Sequence, residues 1–185
     1  MPTKQLTFQP DSTRTVASTE EHIEVPAGRH HFVIKQTEEV QSHAFHLRHP
    51  ESEIVIIGLV NAAKNDKFNL ETAVIHHAPH TKAETRIKTL SQDKAEPRFR
   101  GMIRIEPNSH NCESYLTHSS LLLGTTAQSW TTPSLEILNN EVKCSHAATV
   151  RTITDLDLFY LQSRGLSKKT SQNLLIDAFL SDVQS

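Results

Sequence analysis

SLLLGTTAQSWTTPSLEILNNEVKCSHAATVRTITDLDLFYLQSRG, residues 120–165, contains the change of period that divides this chain. At its centre, in Val142-Lys143-Cys144-Ser145-His146, an extended backbone sends successive side chains to opposite faces. Val142, Cys144 and His146 then share one face, and Lys143 and Ser145 the other. After Thr149 the spacing lengthens to that of a helix. Thr154 suits an N-cap, with Asp157 three residues on as in a capping box and Ile153 placed to staple against Leu158. Leu158 and Leu161, with Phe159 one face over, form an apolar stripe, and Gly165 supplies the left-handed residue that ends the helix. Ser167 caps a second helix in which Leu174, Leu175, Ala178, Phe179 and Val183 fall on one side. The stretch predicts strands before residue 154 and two helices after it.

Upstream, the period of two recurs. Short runs lie at Phe32–Ile34, Ala44–Leu47, Ile54–Val60, Asn69–His76, Thr85–Leu90, Phe99–Ile105, Tyr115–Leu123, Leu135–Leu138 and Val142–Val150. Clusters such as Asn65-Asp66, Ala78-Pro79-His80, Glu106-Pro107-Asn108-Ser109 and Asn139-Asn140 separate them, as turn residues separate strands. Leu70 and Val74 oppose Asn69, Glu71 and Ala73, and Ile103 and Ile105 face away from Arg104. A mainly β core follows, either a sandwich or a solenoid. No residue motif repeats, so period alone leaves both open. Residues 1–30 are polar, with Leu6, Phe8, Val16, Ile23 and Val25 as the only strand anchors. They read as a leader with short edge strands from about Ile23, ahead of a β core over 31–153 and a helical segment over 154–185.

Composition narrows the function. With 185 residues the chain can bury a sizeable core. A net charge of −2 provides no basic field for nucleic acid or an anionic membrane. No apolar run approaches the roughly 20 residues of a membrane span, and Met1-Pro2-Thr3-Lys4 is not followed by a signal-peptide core. The expectation is a cytoplasmic protein. Two cysteines, Cys112 and Cys144, are too few for a disulfide framework, and reducing surroundings would keep both as thiols. The five glycines, at 28, 58, 101, 124 and 165, never cluster. A phosphate-cradling loop is therefore excluded, and any nucleotide is hydrolysed by another chain. Twelve histidines concentrate at His30-His31, at His43, His46 and His49, and at His76-His77 and His80. They read as exposed polar positions, since neither HExxH nor a pair of CxxC runs is present.

Leu121-Leu122-Leu123-Gly124, Thr132-Pro133-Ser134-Leu135-Glu136-Ile137, Val142-Lys143-Cys144-Ser145-His146 and Phe159-Tyr160-Leu161-Gln162-Ser163-Arg164-Gly165 follow one another at close spacing. In that order they resemble the core of the SufB/SufD family, the scaffold subunits of Suf-type iron–sulfur cluster assembly, and the D-type subunit most. Upstream, His76-His77-Ala78-Pro79-His80-Thr81 and Phe99-Arg100-Gly101-Met102-Ile103 resemble the family's H-x-AP-x-T and F-x-G-x-I segments. The likeness covers about residues 54–183, against full-size members that are much longer at the N-terminus. It implies a right-handed parallel β-helix, with Leu121–Leu123, Leu135, Ile137 and Val142 as rungs and the helical hairpin covering the column's open end.

The same resemblance implies a scaffold rather than an enzyme, working with an ABC-type ATPase and with a B-type scaffold subunit or a second copy of itself. A transient iron–sulfur cluster needs soft donors, which Cys144 and His146 provide from one strand face. His118 stands where the B-type subunit has a cysteine and is the candidate third ligand. Cys112 has no counterpart in the family. Leu158, Phe159, Leu174, Leu175 and Phe179 are the candidate surface for the ATPase. Two other classes compete. A Cys/His nucleophilic enzyme would use Cys144 with His146, but no oxyanion loop or orienting third group is evident. A carbohydrate-binding or lyase-like β-helix would need aromatic platforms, and Trp130 is a single tryptophan.

Overall fold

The computed structural model describes residues 13–16 and 19–183, so Leu6 and Phe8 lie outside the described residues. One sheet stacks β1 (Thr13–Val16), β3 (Arg29–Lys35), β5 (Glu53–Ala62), β7 (Lys82–Gln92), β9 (Cys112–Leu123) and β11 (Val142–Thr152). The other stacks β2 (Glu20–Val25), β4 (Val40–Leu47), β6 (Asn69–His76), β8 (Arg98–Ile105) and β10 (Trp130–Ile137). All neighbours pair in parallel. Each coil thus gives one strand to each sheet before climbing to the next, which makes the core a parallel β-solenoid and excludes the sandwich. Stacked partners are 18 to 24 residues apart in the first coils and 29 to 32 later. This repeat is one of geometry, without a repeated residue motif.

Stacked corners replace glycine turns. Glu51, His80 and Asn111, just ahead of β5, β7 and β9, have φ of 62°, 58° and 55°. Lys64, Asp93 and Gly124, just after the same strands, have φ of 57°, 57° and 105°. Five of these six left-handed residues carry side chains, with Asn, Asp and His among the types that tolerate it best. Asp93 also accepts a hydrogen bond from the Lys64 amide of the coil below, at 3.0 Å. The low glycine count is therefore compatible with a fold full of tight bends.

Inside, side chains stack in register. Phe45, Val74, Ile103 and Leu135 form one column, and Leu47, His76, Ile105 and Ile137 the next. Phe32 meets Phe45 edge-on across the two sheets, ring centroids 5.0 Å apart, a geometry aromatic pairs favour. Gly101 points inward, where an added Cβ would fall 2.5 Å from Leu116 Cδ2 and 2.9 Å from Phe99 Cζ. The glycine of the Phe99-Arg100-Gly101 run thus makes room for both neighbours. Outside, Arg29, Glu53, Lys82, Glu113 and Lys143 stack as a column of alternating charge, with ion pairs at both of its ends.

Two expectations need correction. The column begins before residue 31: Val16, Ile23 and Val25 are buried in it, and β1 and β2 pair with β3 and β4. A half-buried strand needs an apolar residue only at every second position, so Thr13-Arg14-Thr15-Val16 reads as polar while still supplying a rung. The helices, α1 (Asp155–Ser163) and α2 (Lys168–Leu180), form as the caps predict. Thr154 and Asp157 make the reciprocal capping box, Gly165 has φ of 92°, and Ser167 Oγ accepts from the Thr170 amide at 3.1 Å. Their placement differs. Lys88 on β7 donates to the Phe179 carbonyl, pairs with Asp182, and sits 4.8 Å from the Phe179 ring centroid. Val183 lines a surface cavity together with Val33, Ile57 and Leu59 on the same outer face. The tail is held along the side of the column, and the open end stays open.

Candidate functional site

The last coil has a neighbour on one side only: β11 pairs with β9, and β10 with β8. In β11, Val142, Cys144, His146 and Ala148 lie above Cys112, Ser114, Leu116 and His118, all four of them inward-facing residues of β9. The alternation read from the sequence therefore holds, and the shared face is the one that would continue the core. With nothing among the described residues stacked above it, that face meets solvent. Cys144 is half-buried and packs against the core, while His146 is exposed. Leu135 and Ile137 are rungs in the same sense, above Ile103 and Ile105, yet remain 36 % and 41 % exposed.

Burial pushes the Cys144 thiol up to about 11, with the nearby Cys112 adding to the rise and the Ser114 backbone opposing it. The group is thus a neutral thiol near pH 7. A nucleophile requires the reverse shift, which weighs against a Cys/His enzyme. A soft metal can displace the proton, since metal binding to thiols releases protons. Cys144 and His146 are one soft and one borderline donor at an open rung. Among the described residues, no three His, Cys, Asp or Glu side chains are grouped to hold a metal ion.

His118 is not brought to that rung. It lies one coil down, beneath Ala148, 1 % exposed, with Nε2 2.9 Å from Thr89 Oγ1 and its ring 4.6 Å from that of Phe99. Burial pulls its imidazole down to about 4, so it is neutral, and joining a cluster would require leaving its buried place beneath Ala148. Cys112, fully buried, lies 3.1 Å from Thr81 Oγ1, which itself lies 2.7 Å from His76 Nδ1. The sequence assigned Cys112 no role, and the structure puts it in this internal polar chain.

On the tail, Leu158 is 9 % exposed, and Phe179 sits beneath Lys88. Leu175 is half-buried. Phe159 and Leu174, 68 % and 48 % exposed, are joined on the surface by Leu156 and Tyr160, which sequence spacing did not single out. The stripe rule marks residues that share a face but not which face the core takes. Trp130 is covered on one side by Arg98, 5.4 Å from its ring centroid, and no second ring pairs with it among the described residues. No helix among the described residues is long and apolar enough to cross a membrane.

Comparison with known proteins agrees with this geometry. Residues 7–179 match the profile described as SUF system FeS cluster assembly, SufBD core domain. The chain is 33 % identical over 132 residues to the iron–sulfur cluster assembly protein SufD of Escherichia coli (strain K12), covering 71 % of this chain and 31 % of that protein. It is 33 % identical over 112 residues to the iron–sulfur cluster assembly SufBD family protein ycf24 of Porphyra purpurea, covering 60 % of this chain and 23 % of that one. A SufBD family protein of Synechocystis sp. is 28 % identical over 124 residues, 66 % of this chain and 26 % of the relative. The chain spans less than a third of the length of these relatives.

Proposed function

Because this chain belongs to the SufB/SufD core family, with D-type character, we propose that it is a supporting scaffold subunit for assembling an iron–sulfur cluster. The observation that carries the reading is the open last coil. It combines two unpaired strand edges, an uncovered apolar rung, and Cys144 with His146 on the face that a second column would meet. Exposed edges are costly to leave bare and are ready to pair. A cluster wants about four ligands, which two donors from each of two chains would supply. The partner is a B-type scaffold subunit or a second copy of this chain, and the cluster is cargo built at their junction. His118 is a reserve ligand in this scheme, since it is buried one coil below the open rung.

The test is iron and acid-labile sulfide content after anaerobic co-expression with a B-type scaffold and an ABC-type ATPase. Cys144→Ser and His146→Ala are expected each to bring both contents to background while leaving the fold intact by circular dichroism. Unchanged content in both variants would overturn the site.

The ATPase is assigned to the exposed apolar side of the tail, at Leu156, Phe159, Tyr160 and Leu174. Phe159→Asp with Leu156→Asp should lose ATPase co-purification, because truncating a hot spot costs more than about 2 kcal/mol and a buried charge adds to that. Lys88 and Phe179, which clasp the tail to β7, remain in place in this variant. Recovery equal to that of the unmodified chain would reject the assignment.

A further inference from the structure

We propose that His22, His46 and His77 form a second metal site, on the outer face of the sheet that contains β2, β4 and β6, which binds a divalent first-row transition metal through two imidazoles of adjacent coils. These histidines come from three successive coils, and only the solenoid's stacking brings them together. His22 Nδ1 lies 3.2 Å from His46 Nε2, and His46 Nδ1 lies 3.1 Å from His77 Nε2. The rings lie nearly parallel, centroids 5.5 and 5.3 Å apart.

Those gaps match the span between two imidazole ligands. Metal–nitrogen bonds of 2.0–2.1 Å put neighbouring ligand atoms about 2.9 Å apart in an octahedral site and about 3.3 Å apart in a tetrahedral one. Without a metal, the three rings form a chain of N–H···N hydrogen bonds, and His46 spends one nitrogen as donor and one as acceptor. With a metal, the lone pairs of one adjoining pair turn toward a common point about the soft ring torsion. Because no three donors are grouped among the described residues, waters complete the shell. Imidazole suits Zn, Cu, Ni and Fe.

Nearby charge does not forbid a cation. Arg48 is held by both carboxylate oxygens of Glu24, at 2.9 and 3.1 Å, and Arg104 by Glu106 at 2.9 Å and Glu136 at 3.3 Å. The ridge lies on the early coils, at the opposite end of the column from Cys144.

The experiment is calorimetric titration of the untagged chain with Zn²⁺ and Ni²⁺, and electron paramagnetic resonance with Cu²⁺, in the Cys144→Ser/His146→Ala background. One metal per chain is expected, with nitrogen couplings from two imidazoles. His46→Ala removes the ring shared by both pairs and should weaken binding at least about tenfold, while His49→Ala, an exposed neighbour, should not. Both positions lie outside the core, His46 half-buried and His49 exposed, so circular dichroism should be unaltered. Equal affinity in the His46→Ala chain, or equal losses in His46→Ala and His49→Ala, would overturn the site.

Discussion

Phe99→Ala is expected to lower the free energy of unfolding by about 3–5 kcal/mol, the usual cost of truncating a buried aromatic. Phe99 is 2 % exposed and stacks between Leu70 and Thr131 in the even-numbered sheet. Its ring reaches across the column to His118, 4.6 Å away, and lines the space kept open by Gly101. Truncation would empty a volume bounded by both sheets, where backbones held by ladders on either side cannot close in. Urea denaturation should show the midpoint falling at nearly constant slope. Phe159→Ala, on the exposed side of α1, should stay within about 0.5 kcal/mol. A loss below about 1 kcal/mol for Phe99→Ala would mean that the column can collapse around the gap.

Mild acid should destabilise the protein before its carboxylates titrate. His43, His76 and His118 are buried, and desolvation holds each down to about 4 from the ordinary 6.5. Between those values the unfolded chain binds protons that the folded one refuses, so stability rises with pH across that window. It is fully present above about 6.5 and is lost as pH falls toward 4. At about 1.4 kcal/mol for each pKa unit, His76 and His118 account for on the order of 3 kcal/mol apiece, and His43 acts in the same sense. Unfolding free energies at pH 7.5, 6.0 and 5.0 would register the slope above the carboxylate range. His43→Leu should flatten it, because neither His43 nitrogen has a hydrogen-bond partner among the described residues. A flat profile from 6.5 to 5 would show that the column admits charged imidazoles.

These histidines also mark where sequence reading stops. A run such as Val40–Leu47 alternates, but alternation does not say which set faces inward, and His43 is buried while His46 is on the surface. Inward imidazoles resemble outward ones until the register of neighbouring coils is known. The histidine clusters read as exposed positions thus divide into interior rungs, His30, His43 and His76 among them, and an outer ridge. For the site, alternation sufficed to put Cys144 and His146 on one face. It could not separate them from His118, because the 28 residues between His118 and His146 amount to one climb of the solenoid less two positions, a distance in space that only the stack defines.

From its own residues the sequence determined the strands from Phe32 onward, the switch to helix at Thr154, both helix caps and the shared face of Cys144 and His146. These features depend on backbone period and on side chains reaching at most three or four residues along the chain. The family likeness added the parallel column. Tertiary structure alone decided that residues 13–30 supply the first rungs, that the tail lies along the side under Lys88, and that the last coil stays uncovered. Each of these depends on contacts between residues tens of positions apart, Lys88 with Asp182 among them. Such contacts are selected by the summed burial of a stack, which leaves no period in the sequence.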